Sequence, residues 1–300
     1  MMRKAFSLLL LLLVFNVSFS QDSVKINKPR LILATSVQGS VLIGGIAGLN
    51  YIWYDGHEKL GFHFYNNDGN EYLMIDKLGH AFSAYQESAI AYHSLRWAGV
   101  SKKQALLFGG PMGLILQTPI ELFDAMYDGY GFSKNDMIAN FTGSALFTFQ
   151  ELFWDEQIIK PKFSYSPSPY RDYYPRRLGD TQLKSFFLDY NAHTYWLSFP
   201  TNKIICSDKT PKWLNIAVGY SANGMFGEFD NPATTNLGVP IPHFDRYRQF
   251  LLSLDVDLTK IPTKSKGLKI VFNVLNRIKI PAPTLEYNSL GKFKGYGLYF

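Results

Sequence analysis

The chain has 300 residues, 47% of them hydrophobic and 16% aromatic, with a formal charge of +6 and one cysteine. This length suits one large or two modest domains, and a lone cysteine excludes an intramolecular disulfide or a thiol-rich zinc site. The positive charge is spread along the chain without a Lys/Arg block, which argues against a nucleic-acid partner.

Residues 1–20 combine Arg3 and Lys4, a leucine-rich run from Leu8 to Val14, and small residues at Ser18 and Ser20. This is the layout of a secretory signal peptide, with an apolar core too short for an ordinary membrane span. The mature chain is expected to start near Gln21, with its formal charge lowered to +4 by the loss of Arg3 and Lys4. Cys206 is far from this segment, which leaves no cysteine beside it for lipid attachment.

A Gly-rich four-helix bundle is expected within residues 21–158. Its first helix, Leu31 to about Tyr54, carries Gly39, Gly44, Gly45 and Gly48, small residues that permit close helix approach. The second runs from about Tyr72 to Ala98, and the third from about Lys102 to Tyr127 with kinks or breaks expected at Pro111 and Pro119. The fourth follows Ser133, a fitting N-cap with Asp136 three residues on, and continues to about Trp154.

Residues 159–300 exchange the helical period for alternation, so the overall class is α+β with an antiparallel β half. Strands are expected at Tyr195–Phe199, Trp213–Ser221, Phe250–Leu258 and Pro283–Tyr287, each with one apolar face. A short amphipathic helix fits 268–278. The terminal Tyr296, Leu298 and Phe300 resemble the last strand of an outer-membrane barrel, with Glu228–Asp245 as a long loop. Five or six strands fall short of a closed eight-stranded barrel, and the alternative is a sheet laid over a soluble core. The stretch Tyr170–Arg177 reads as a linker between the halves. Segments 31–54, 103–123 and 137–154 are apolar enough to be weighed as membrane spans. The positive-inside rule would then place the mature N-terminus in the cytoplasm, against the signal peptide, so a periplasm-facing bundle at the outer membrane is preferred.

Because short loops reverse the chain between helices, the start of the second helix, the end of the third and the start of the fourth share one end. Helical spacing aligns Asp76, His80, Ser83 and Glu87 on the second helix, Gln117, Glu121, Asp124 and Asp128 on the third, and Asp136, Asn140 and Gly143 on the fourth. Polar groups in apolar surroundings must satisfy one another, a ligand or water. Asp76, His80, Glu87, Glu121, Asp124, Asp136 and Asn140 are therefore the candidate ligand-binding set. Three readings stay open: a divalent metal on Asp76, His80, Glu121 and Asp124; acid/base catalysis by His80, Asp76 and Asp124; or a capping network that fixes helix register. The P-loop, dinucleotide, His-Glu-x-x-His and Gly-x-Ser-x-Gly patterns are missing.

The string Asp76-Lys77-x-Gly79-His80, then Trp97-x-Gly99, Glu121-x-x-Asp124 and Gly131-Phe132-Ser133-x-x-Asp136-x-x-x-Asn140-x-x-Gly143 resembles the YfiM-like family of predicted periplasmic lipoproteins. It is more distantly similar to VanZ-like membrane proteins. The resemblance covers about residues 72–150 and implies an envelope location and a helical core, without an activity. The expected protein is exported to the periplasm or outer membrane, with envelope lipid or envelope proteins as partners. Its polar cluster has a structural or ligand-binding role, or alternatively acts as a metal-dependent or His/Asp acid–base enzyme on a lipid-linked or cell-wall substrate.

Overall fold

A computed structural model describes residues 26–52, 54, 56–65, 68–205 and 209–300. The expected signal peptide, residues 1–20, and Cys206 lie outside the described residues. The first half supplies helices α1 (Lys28–Ile52), α2 (Ile75–Trp97), α3 (Lys102–Gly109), α4 (Met112–Asp124) and α5 (Lys134–Trp154). The expected third helix is two helices, because the chain breaks before Pro111, which has no N–H to donate to a continuing helix. Pro119 is accommodated inside α4. Ser133 caps α5 as its position predicts, accepting from the Asp136 N–H at 2.9 Å.

Helix α2 is central because its neighbours come unusually close. A Cβ at Gly113 of α4 would sit 1.9 Å from the Ala84 carbonyl oxygen, and one at Gly143 of α5 would sit 2.0 Å from that of Ala81. Both approaches require glycine. Tyr85, Ala89, Tyr92 and Phe147 form the apolar core between α2 and α5. Just before α2, Tyr72, Leu73 and Met74 all adopt left-handed backbone conformations, with φ of 42°, 52° and 74°. Each costs on the order of 1–3 kcal/mol. The Tyr72 N–H donates to the Glu228 carbonyl at 2.8 Å, and the Tyr220 hydroxyl donates to the Leu73 carbonyl.

The second half folds into strands β1 (Lys160–Tyr165), β2 (His193–Pro200), β3 (Leu214–Asn223), β4 (Tyr247–Val256), β5 (Ala282–Asn288) and β6 (Phe293–Tyr299). They form one antiparallel sheet in sequential order. Helix α6 (Gln182–Leu188) lies between β1 and β2, and α7 (Lys266–Leu275) between β4 and β5. Strand β1 escaped prediction because Lys160, Pro161 and Lys162 mask its alternation. The barrel-like expectation is corrected, because the six-stranded sheet is not closed. The outer edge of β1 is taken by the segment after α7: the Phe163 N–H donates to Arg277 and the Lys279 N–H donates to Phe163, both at 2.9 Å.

The sheet is polar inside and apolar outside. Along β4, Leu251, Ser253 and Asp255 are buried, whereas Phe250, Leu252 and Leu254 are exposed. Lys162 Nζ lies 2.7 Å from Asp255 Oδ2, and both side chains are 0% exposed. Ser198 donates to the same carboxylate at 2.6 Å, and Gln249 donates to Glu286 at 2.8 Å. The curvature of the sheet brings Tyr299 of β6 against Trp196 of β2, with ring centroids 5.8 Å apart. This arrangement is the reverse of a sheet laid over a soluble core, where the apolar face turns inward. The bundle packs on the outer face near β1 and β2, where Phe82 meets Phe163 and Tyr195 at 5.9 Å. Two segments, Lys28–Gly48 and Lys102–Asp124, are long and apolar enough to cross a membrane.

Candidate functional site

Three helix ends converge on a cavity of about 740 Å³ lined by Asp76, His80, Asp124 and Asp136, among others. The first turn of α2 contributes Asp76, Lys77 and, one turn on, His80, while the capped start of α5 contributes Asp136 and Asn140. Lys77 ties the acids together. Its Nζ lies 2.9 Å from Glu71 Oε2, 3.1 Å from Asp76 Oδ2 and 3.0 Å from Asp136 Oδ1.

The two nitrogens of His80 face different partners. Nδ1 is 3.2 Å from Asn140 Oδ1 and 3.6 Å from Glu121 Oε1, and Nε2 points toward Asp76 Oδ1 at 3.9 Å. An Nδ1–H donated to Asn140 fixes the ring with Nε2 toward the acids, the arrangement that orients metal-ligating histidines. Asp76, His80 and Asp136 each offer a ligand atom, and the three atoms lie within 4.8 Å of one another. Donors held about 2.1 Å from a common ion in tetrahedral geometry are about 3.4 Å apart, so the three atoms would have to draw together by up to about 1.4 Å to coordinate.

Carboxyl groups outnumber cations here. Glu71, Asp76, Asp136 and Glu121 surround two cations, Lys77 and His80. Burial opposes the charge on His80, but Asp76, Asp136 and Glu121 outweigh it and raise its pKa to about 9. Burial likewise disfavours the Lys77 ammonium, and the three carboxylates overcome it to hold the pKa above its ordinary value. Burial pushes Glu121 up to about 9 and Glu71 up to about 8. Asp136 is raised by burial and by Asp76, whereas Asp76 is held low because His80 and Lys77 outweigh its burial. Both oxygens of Glu121 and the Nδ2 of Asn140 have no hydrogen-bond partner, although both residues are 0% exposed. Buried polar atoms without partners are rare, and a bound water or ion is one way to satisfy them.

The remaining sequence candidates sit around this centre. Asp124 accepts a short hydrogen bond from the Tyr54 hydroxyl, and burial raises its pKa to about 7 against the lowering effect of that bond. Glu87 accepts from Gln117 Nε2 at 2.8 Å, farther along α2. Thus Asp76, His80, Glu121, Asp136 and Asn140 form one contact network, while Asp124 shares the cavity but is turned to Tyr54. Asp76 makes no cap: no side chain caps the start of α2.

Sequence reasoning did not select Lys77, Glu71, Tyr54 or Tyr190. Lys77 stood inside the Asp76-to-His80 string and was legible as the counter-ion of a carboxylate cluster. Tyr190 was not, since it comes from the other half of the chain; its hydroxyl donates to Asp76 Oδ1 at 3.0 Å. The Tyr170–Arg177 stretch covers the cavity, where Tyr174, Arg176 and Arg177 line its wall. Arg177 donates to Glu228 at 2.8 Å, and Tyr65 donates to the other oxygen of that carboxylate at 2.7 Å.

No curated protein and no solved structure matches the chain. The resemblance to periplasmic lipoproteins is met: residues 63–151, which carry every acidic and basic side chain of the central network, match the family model described as "Predicted periplasmic lipoprotein (DUF2279)".

Proposed function

We propose that this envelope protein is a metal-dependent acid–base enzyme that hydrolyses an ester or phosphoester of an envelope molecule. The observation that carries the reading is the juxtaposition of Asp76, His80 and Asp136 beside unpartnered buried donors and acceptors, in a cavity with more carboxyl groups than cations. Asp76, His80 Nε2 and Asp136 would hold the ion, and Asn140 would orient the imidazole from its far side. A divalent cation there supplies positive charge to polarise a substrate oxygen. Asp124, with its pKa near 7, is placed to exchange a proton with the reacting groups at neutral pH. In the reaction, water forms the new bond to the acyl or phosphoryl centre as the bond to the departing oxygen breaks, and the Asp124 carboxylate takes the proton that water loses and returns it to the departing oxygen.

The outer face of the sheet supports a location at a bilayer. Leu252, Leu285, Phe293 and Leu298 are exposed on it, and α7 adds an exposed apolar stripe through Ile270 and Val274. An exposed apolar area of this extent marks a membrane or protein contact.

The test is metal analysis of purified protein after equilibration with zinc or manganese. One ion per chain is expected, lost in Asp76→Asn, His80→Ala and Asp136→Asn variants that keep the wild-type circular dichroism. Wild-type protein that binds no divalent ion would leave the cluster as a structural network.

A further inference from the structure

The polar cavity does not end at His80. A smaller cavity of about 240 Å³ shares Asp76, His80 and Tyr190 with it and runs beneath Phe82 and Tyr195. Phe82 and Tyr195 in turn line a third space, a groove of about 850 Å³ between the bundle and the outer face of the sheet. Phe82 and Tyr195 thus stand between the carboxylate–histidine centre and the groove, a layer of aromatic rings with a space on either side.

The groove has the opposite chemistry. On the bundle side it is walled by Ala81 and Leu146, and on the sheet side by Val218, Leu252 and Leu285. Thr142 is a polar side chain there, and its hydroxyl is spent on the Ile138 carbonyl of its own helix at 2.7 Å. Of the charged residues at its edge, Lys162 and Glu286 are engaged inside the sheet by Asp255 and Gln249, and the Lys294 ammonium lies over the Tyr296 ring, so the wall that faces the groove is mainly apolar. Its volume lies within the roughly 300–1,000 Å³ of small-molecule sites. Val218, Leu252 and Leu285 also belong to the exposed outer face of the sheet, so the groove opens sideways onto that apolar surface.

We infer that the groove receives the acyl chain of a membrane lipid whose polar end reaches the Asp76–His80–Asp136 centre, so that the substrate class is an acylated amphiphile. This rests on the catalytic reading above for the word substrate; chain binding in the groove stands without it. An amphiphile matches the polar cavity and the apolar groove at once. Its head meets the polar side chains that line the cavity, and its tail covers apolar side chains that otherwise face water.

The experiment uses the full mature chain in detergent, with pyrene-labelled phosphatidylethanolamine as probe and zinc content measured on the same samples. Val218→Trp and Leu285→Asp change exposed positions of the sheet, so the fold is expected to survive, as checked by melting temperature. Each should weaken probe binding at least tenfold while leaving zinc content unchanged, and His80→Ala should lose zinc while the probe still binds. If the wild type binds the probe but no zinc, the metal reading fails and the lipid site stands. Wild-type affinity for the probe in both groove variants would overturn the inference. So would an equal affinity for glycerophosphoethanolamine, which lacks the tails, or a lipid-free dimer that Val218→Trp converts to monomer, which would assign the groove to a second copy of the chain.

Discussion

Replacing Lys162 with Met tests whether the interior of the sheet is held by charge. Lys162 is 0% exposed, and its ammonium meets Asp255 at 2.7 Å and donates to the Val256 carbonyl at 2.7 Å. Removing the ammonium leaves a carboxylate that is itself 0% exposed, with the Ser198 hydroxyl at 2.6 Å as its nearest compensation. Breaking a buried pair from one side costs about 3–5 kcal/mol. The low end applies here, because Lys279 is buried in the same interior and Asp255 pushes against the burial that lowers its pKa to about 8. Lys162→Met is therefore expected to lose about 3 kcal/mol, and Asp255→Leu a similar amount. The double variant removes both charges and leaves volume of similar size, so it should lose less than either single change. Urea unfolding at pH 7, followed by tryptophan fluorescence, measures all three. A double variant whose loss equals the sum of the single losses within about 0.5 kcal/mol would refute the pairing and, with it, the view of a charge-stabilised interior.

Other expectations follow from the helical half. Gly143→Val should destabilise by at least about 1–3 kcal/mol in thermal melts, because its side chain would have to displace the backbone of α2 at Ala81; an unchanged melting temperature would show that the helices separate freely. Glu87 has its pKa raised by burial from 4.5 to about 7, so the folded state holds this proton more tightly than the unfolded chain does. That contribution is complete below pH 4.5 and is lost as pH rises through about 7, a span of about 3 kcal/mol. Glu87→Gln should accordingly be more stable than wild type at pH 8 and equal to it below pH 4.5, and a constant difference across chemical denaturation at both pH values would contradict this sign. Lys77→Met strips three carboxylates of their shared counter-ion, so its melting temperature should fall and should rise again with millimolar manganese by more than that of wild type; no differential rescue would mean that the site does not recruit cations.

The helices were legible because α2 and α5 obey helical spacing and begin or end at recognisable residues, such as Ser133. The convergence of Asp76, His80, Asp136 and Asn140 was legible for the same reason: helix direction alternates, and the polar stripes stand out among apolar neighbours. Three features were not. Alternation in β4 shows that one face is apolar but not which way it points, and the partner of Asp255 is Lys162, on a strand masked by proline. The roles of Asp124 and Asp136 depended on where Tyr54 and Lys77 reach, which spacing along one helix does not determine. Tyr190 is separated from Asp76 by 114 positions, and no local pattern connects them.

The three left-handed residues ahead of α2 bear on how the two halves communicate. Tyr72, Leu73 and Met74 would relax by joining the helix that follows them, prolonging it backward by almost one turn. What prevents this is a pair of clasps from the other half, the Glu228 carbonyl and the Tyr220 hydroxyl. If β3 or its loop let go, the lengthened helix would swing Glu71 away from the Lys77 ammonium and shift the balance of charge around Asp76. A displacement of β3 or of its loop would therefore reach the charges around the histidine through these three residues.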